Sequence, residues 1–275
     1  MHAAARTFAP MSTKSERTTE LTTGWEPDLA VGDTFLRRFV ENLAAQNAAI
    51  SAAVGGWSHR DAALAISDAG RPLAYFNAAI PMRPPEDWDA FMDRLAVGFG
   101  SGSGMAYLWS PWPTPDLEAY GWRKEGHPPF LLRPVARHDI EVSTDATVSQ
   151  VTTPAGLAVW EEVAAKGYPF HRNGSIFGPA LMEDQRFRFF LSSDRGRPVA
   201  IGAQFVDFGV AAFALGVTLP EYRHRGHWQT LVATRLDAEP DLPACGVFSD
   251  FSRPGAERAG FLPIQRLTLW SLERE

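Results

Sequence analysis

The sequence has little of several features that mark particular classes of protein. It holds a single cysteine, Cys245, among 275 residues, so no disulfide can form within one chain. Cysteine and histidine also do not cluster with the spacing of a zinc site. A lone thiol is typical of a reducing compartment, and we expect a cytoplasmic protein that binds no metal.

Charge and hydropathy argue against two further classes of protein. The net charge is −6, and the basic residues are not clustered as nucleic-acid binding requires. No segment reaches the length of about 18 apolar residues that a membrane helix needs, and the N-terminus lacks the apolar core of a signal peptide. We expect no nucleic-acid partner, no membrane contact, and a flexible arm over residues 1–27.

The hydrophobic pattern predicts two similar units of mixed α/β structure. Helical spacing covers 33–54, 85–99, 152–168 and 228–238, short apolar runs between them read as strands, and one last strand covers 264–272. The order helix, hairpin, helix, strand, short helix, strand occurs twice. We interpret the chain as a degenerate tandem repeat with domains at 28–137 and 138–275.

One stretch, GVTLPEYRHRGHWQTLV (residues 216–232), combines the end of a strand with the start of a helix. A helix N-terminus offers unpaired N–H groups and partial positive charge, which suit a phosphate. Gly226 lets the backbone approach an anion, and Arg223 and Arg225 add charge. The strand offers backbone groups to an amide-containing arm, and coenzyme A combines both features. The alternative is an ordinary strand–loop–helix junction with solvated arginines.

The same stretch resembles the acyl-CoA motif of the GNAT superfamily of N-acetyltransferases, Arg/Gln-x-x-Gly-x-Gly/Ala. Arg223 fills the first position and Gly226 the central one. PGAERAGF, residues 254–261, resembles the later family motif in which a helix ends in Gly-Phe. The resemblance covers 139–275, while the first half is similar, by layout, to the non-catalytic domain of tandem members. It implies a GNAT-like α+β mixed sheet in each half, with acetyl-CoA as co-substrate and an amine acceptor.

Carried over by position, the resemblance implies that the backbone of Val217 and Leu219 pairs with pantetheine and that amides over 225–230 hold the pyrophosphate. The implied acyl-CoA site comprises Val217, Thr218, Leu219, Arg223, His224, Arg225, Gly226, His227, Trp228, Gln229 and Thr230. The chain departs from the family twice. Trp228 stands where Gly or Ala is preferred, and Ala256 stands where many members carry the tyrosine that protonates the leaving thiolate.

Three residues are candidates for proton transfer. His171 follows the first helix of the second half and can take a proton from an amine, or it is a solvated loop residue. Ser252 and Cys245 lie near the expected thioester end, where each can be a proton donor or purely structural. His224 and His227 are interpreted as polar loop residues rather than metal ligands. The aromatic, proline-rich stretch 107–115 lines a pocket between the domains or packs in the core.

Two functional hypotheses follow, beside a third reading in which the protein is an interaction module and neither half binds CoA. The first is an N-acetyltransferase in which a primary amine attacks the thioester of acetyl-CoA directly. The second is a non-enzymatic acyl-CoA-binding sensor or scaffold whose catalytic residues have decayed, as the absence of the tyrosine at Ala256 suggests. The sequence does not identify the acceptor.

Overall fold

A computed structural model describes residues 35–71, 74–100, 102–137, 140–142, 145–168 and 177–274. In these ranges the helices are α1 (Phe35–Ala53), α2 (Trp88–Phe99), α3 (Pro154–Gly167), α4 (His227–Ala238) and α5 (Arg253–Arg258). The strands are β1 (Trp57–Arg60), β2 (Leu64–Asp68), β3 (Asn77–Pro81), β4 (Gly104–Ser110), β5 (Arg123–Gly126), β6 (Pro129–Arg133), β7 (Ala146–Gln150), β8 (Phe187–Asp194), β9 (Arg197–Asp207), β10 (Val210–Thr218), β11 (Ala244–Val247), β12 (Leu262–Arg266) and β13 (Thr268–Arg274). Short 3-10 turns cover Ala74–Phe76, Glu118–Tyr120, Pro179–Met182 and Pro220–Tyr222.

The strands form two mixed sheets with the same internal order. The first sheet runs β1-β2-β3-β4-β13-β5, and the second runs β12-β6-β11-β10-β9-β8-β7. In each sheet an antiparallel pair, β2–β3 or β9–β10, is followed by a parallel pair, β3–β4 or β10–β11. A crossover helix, α2 or α4, joins the two parallel strands, as parallel pairing requires. The predicted fold class, two similar mixed α/β units, is confirmed.

The two sheets exchange one strand each. β13, at the end of the chain, lies between β4 and β5 in the first sheet, and β6 lies between β11 and β12 in the second. Trp270 of β13 is fully buried there, and Arg274 forms a buried ion pair with Asp68. The prediction of one last strand over 264–272 is wrong, because the chain passes from one sheet to the other at the buried Leu267. The division at 137/138 stays a prediction.

Helix α1 lies between the two sheets and fills part of the space between them. Phe39 stacks on Phe130 of the second sheet at a ring separation of 4.4 Å. Val40 and Ala44, on another side of the helix, pack with Ile80 of the first sheet. α2 packs with the core of the first sheet, and α4 and α5 pack on the second. No helix in the described ranges is long and apolar enough to cross a membrane.

Local sequence explains several helix starts. Thr153 caps α3 by accepting a hydrogen bond from the Gly156 amide at 3.1 Å, with Pro154 in the first position, as predicted. α2 begins at Trp88 behind the cap Asp87 rather than at the predicted Pro85. The sequence did not predict the strands β1, β5 and β7, because they lie at sheet edges and carry largely exposed residues without apolar alternation.

Candidate functional site

A cleft opens where β10 and β11 separate. The two strands pair in parallel over 211–213 and 244–246, after which β10 continues to Thr218 while β11 ends at Val247. A cavity of about 1340 Å³ begins in this opening and extends into the space between the two sheets. The carboxyl ends of parallel strands are where open α/β sheets usually bind ligands.

The β10 side of the cleft is irregular. The register with β9 shifts between Ala214 and Val217, and Leu215 has a φ of +48°. The Leu219 N–H donates to Val199 O at 2.9 Å and is therefore used within the sheet. Because backbone groups alternate along a strand, those of Thr218 face away from β9, while Gly216 lies within the irregular stretch; both residues line the cavity. The backbone contact of Val217 and Leu219 with pantetheine stays a prediction, and of its groups the Leu219 N–H is already used within the sheet.

The start of α4 forms the far end of the cleft. Gly226 is the N-cap with a φ of +83°, a left-handed conformation that disfavours other residues, and no side chain in the described part of the chain caps the helix. The first intrahelical hydrogen bond runs from Thr230 N–H to Gly226 O at 3.0 Å. The three residues whose amides precede it, His227, Trp228 and Gln229, line the cavity. Such a terminus favours an anion.

The predicted arginines differ in availability. Arg223 is exposed at the cavity, and its Nε donates to Thr218 O at 3.3 Å. Arg225 pairs with Asp194 at 3.4 Å, so its charge is partly compensated. Arg258, which the sequence analysis missed, lines the cavity from α5 and forms no ion pair within the described residues. The only sequence feature that pointed to Arg258 as a site residue was its position in the last turn of the PGAERAGF helix. Arg223 and Arg258 therefore make this end of the cavity cationic.

The two histidines of the motif have different environments. His224 is exposed at the cavity with a φ of +62°, as a loop residue. The prediction of a polar loop residue is wrong for His227, which is the first residue of α4 and only 2% exposed. Its Nδ1 lies 2.9 Å from Ser192 Oγ, and burial lowers the pKa of its imidazole. The described residues contain no cluster of three or more potential metal ligands.

The two departures from the family pattern are explained by packing between α4 and α5. The Trp228 indole covers Gly255, where an added Cβ would lie 3.0 Å from the ring. Ala256 is completely buried and packs with Phe213 and Phe261. A side chain at 256 therefore points into the core, and a tyrosine there has no room without repacking.

The structure places two of the three proton-transfer candidates. Cys245 is fully buried beside Phe39 and Phe130, and burial raises the pKa of its thiol. Ser252 lies at the cavity, with its hydroxyl 3.0 Å from the Ser249 hydroxyl. His171 lies outside the described residues.

Two residues that the sequence analysis did not single out meet at the irregular part of β10. The Tyr168 hydroxyl, at the end of α3, donates to Gly216 O at 2.9 Å and lines the cavity. Arg235 of α4 is 3% exposed, with Nη1 donating to Ala203 O at 3.3 Å and the guanidinium 4.1 Å from the Phe213 ring. No carboxylate in the described residues pairs with it. Burial lowers the pKa of Arg235 to about 9, which leaves it charged at neutral pH.

The first half of the chain forms the other wall of the cavity. α1 contributes Gln46 and Asn47, β4 contributes Trp109, and β5 contributes Glu125. Trp109 belongs to the aromatic stretch that was a candidate pocket lining, and it does line the cavity. Both halves therefore shape one continuous site.

Comparison with known proteins gives a fold but no close relative. No protein-family model and no curated protein sequence matches the chain. Among solved structures, a GCN5-related N-acetyltransferase from Kribbella flavida is 20% identical, with a TM-score of 0.59 over 83% of this chain and 95% of its own. A conserved protein of unknown function from Staphylococcus epidermidis is 13% identical, with a TM-score of 0.61 over 81% and 96%. A GCN5-related N-acetyltransferase from Sphaerobacter thermophilus is 12% identical, with a TM-score of 0.52 over 87% and 94%. The chain has the fold of the GNAT N-acetyltransferases.

Proposed function

We propose that this protein transfers an acetyl group from acetyl-CoA to a primary amine. One observation carries the proposal: the opening between β10 and β11, which Gly216 and Thr218 line, leads to the uncapped N-terminus of α4. An anion site joined to an open strand edge suits a pyrophosphate with an amide-containing arm. The GNAT fold supports the same assignment.

Different residues at the cleft bind different parts of acetyl-CoA. The amides of His227, Trp228 and Gln229 hold the pyrophosphate, and Thr230 fixes the turn by bonding to Gly226 O. The exposed Arg223 and Arg258 supply positive charge, and His224 and Arg225 border the same turn. The backbone N–H groups of Gly216 and Thr218 are the proposed donors to the pantetheine arm, since Tyr168 and Arg223 already donate to the two carbonyls.

In the transfer step the amine nitrogen forms a bond to the thioester carbonyl carbon, and the carbon–sulfur bond breaks. The electron pair of that bond leaves on sulfur, the attacking nitrogen loses one proton to water, and the thiolate regains one. Tyr168 is the proposed hydrogen-bond donor to the leaving thiolate: its single hydroxyl hydrogen, which Gly216 O accepts in this structure, turns from that carbonyl to the sulfur. The buried charge of Arg235 favours negative charge nearby. Tyr168 and Arg235 together take the role of the tyrosine that many members of the family carry at the position of Ala256.

Calorimetry with acetyl-CoA, followed by thiol release over a panel of amines, tests the proposal. We expect saturable binding and thiol release that depends on the amine. Binding without release would identify a binding protein instead, and absence of binding would refute the site itself. We place the reaction in the cytoplasm, where the lone Cys245 stays reduced.

A further inference from the structure

The wall that the first half contributes carries polar side chains facing inward. Gln46 and Asn47 of α1 are 7% and 5% exposed, and both line the cavity. Asn47 donates one hydrogen bond to Leu43 O at 2.9 Å, whereas the Gln46 amide forms none with any described residue. Buried polar groups are normally hydrogen-bonded, so this wall is built to meet polar atoms of a ligand.

Around these amides the wall is aromatic. Tyr75 lies 6.1 Å from Trp109 and 6.3 Å from Tyr168 between ring centroids, and all three line the cavity. Tyr75 and Trp109 come from the first half and Tyr168 from the second. Such a surface favours a ligand with an apolar or ring-shaped body.

The carboxylate on this wall is that of Glu125, which forms an ion pair with the largely exposed Arg123 through one oxygen only. Its Oε1 accepts hydrogen bonds from Ser271 Oγ at 2.6 Å and from Arg123 Nε and Nη2 at 3.0 and 2.6 Å. Oε2 has no partner among the described residues. The hydrogen bond from Ser271 is the main cause that lowers the pKa of Glu125, so the group is ionised at neutral pH. The other carboxylate at the cavity, Asp250, accepts hydrogen bonds from Arg266 through both of its oxygens.

Resting on the function proposed above, we propose that this wall is the acceptor subsite and that it selects amines without a carboxylate. The preferred acceptor has an apolar body, which packs on Tyr75 and Trp109, and a polar group, which hydrogen-bonds to Gln46. Glu125 repels an acceptor carboxylate and attracts an ammonium group. The cationic residues Arg223 and Arg258 lie at the other end, where phosphates bind.

Three probes that differ at one position test this selectivity. Tyramine has no carboxylate, tyrosine carries one, and tyrosinamide has the size of tyrosine without its negative charge. We expect kcat/KM for tyramine and tyrosinamide to exceed that for tyrosine at least about tenfold, a 1.4 kcal/mol difference. Equal values for the three probes would overturn the inference while leaving acetyl transfer intact.

Two variants test whether the preference for tyramine over tyrosine arises from this wall. Glu125→Gln keeps the hydrogen bond to Ser271 but removes the charge, and we expect it to bring the ratio of tyramine to tyrosine close to one. Gln46→Leu is expected to raise KM for tyramine about tenfold without changing the Kd of acetyl-CoA. The matched controls are Glu162→Gln and Gln185→Leu, at exposed positions, which should change neither value.

Separate measurements distinguish this inference from the proposed function. Thermal unfolding of each variant checks the fold, and Gln46→Met replaces Gln46→Leu if the latter unfolds. If no probe is acetylated, calorimetry measures the binding of each probe to protein saturated with CoA. Binding of tyramine and not tyrosine would then support the subsite although transfer had failed, whereas binding of neither would overturn it. Failure of acetyl-CoA itself to bind would refute the proposed function.

Discussion

Replacing Gly226 with aspartate should abolish most of the affinity for acetyl-CoA. The substitution places a negative charge and a side chain at the N-cap of α4, directly beside the amides that we propose for the pyrophosphate. Two unit charges about 5 Å apart repel by about 3 kcal/mol at an effective dielectric constant of about 20, and salt reduces this figure. We therefore expect Kd to rise between about tenfold and a hundredfold.

Two further variants separate charge from backbone strain. Gly226→Ala introduces the strain of a φ of +83° and a Cβ but no charge, so its effect on affinity should be smaller. Gly209→Asp places the same residue at a φ of +68° in the turn between β9 and β10, at the opposite end of β10. It should lower stability and leave the Kd of acetyl-CoA unchanged.

Isothermal titration calorimetry gives Kd and stoichiometry for each variant, and thermal unfolding shows whether the variant is folded. A folded Gly226→Asp protein that binds acetyl-CoA as tightly as the parent would refute the assignment of the site to the start of α4. An equal loss in Gly209→Asp would show that affinity depends on general stability instead.

Further predictions concern catalysis, strand exchange, acid sensitivity and stoichiometry. Tyr168→Phe should lower kcat about a hundredfold at unchanged Kd for acetyl-CoA, whereas Tyr120→Phe, on the exposed surface, should not; an unchanged kcat would remove Tyr168 from the mechanism. Trp270→Ala should cost about 3–5 kcal/mol of unfolding free energy in urea titrations, and a loss below about 1 kcal/mol would contradict its burial between β4 and β5. Because burial lowers the pKa of His227, the unfolded state binds its proton more readily, and the unfolding free energy should fall as pH drops below 6.5. His227→Gln should flatten this loss between about pH 7.5 and 5.5, and an unaltered slope would assign it to other groups. Calorimetry should give one acetyl-CoA per chain, since Asp87 caps α2 in the first half; two per chain would contradict this.

The parts of the fold that could be predicted from sequence are those that depend on local signals. Thr153 and Pro154 set the start of α3, and the strand, glycine and helix around Gly226, where we propose the phosphate site, follow one another within a few residues. The strand exchange could not be predicted in the same way. The apolar pattern of β6 is compatible with either sheet. Its sheet is decided by pairing with β11, which lies more than a hundred residues later in the sequence.

The same distinction applies to the site. Arg235 interrupts the buried side of α4, but a helical pattern assigns a charged residue to solvent by default. Tyr168 reaches Gly216 across 48 positions in sequence, so its role depends on tertiary structure. Conversely, Ala256 suggested a missing catalytic group, although its side chain lies in the core.

Amine-dependent release of the CoA thiol is the most direct test of the proposed acetyl transfer. The parent protein is incubated with acetyl-CoA and tyramine, the free thiol is measured over time, and mass spectrometry quantifies acetylated tyramine. We predict one acetylated product per thiol, no release above background without the amine, and strongly reduced release with Gly226→Asp at a subsaturating acetyl-CoA concentration. Saturable binding of acetyl-CoA with no amine-dependent release over the whole panel of amines would contradict the proposed transfer.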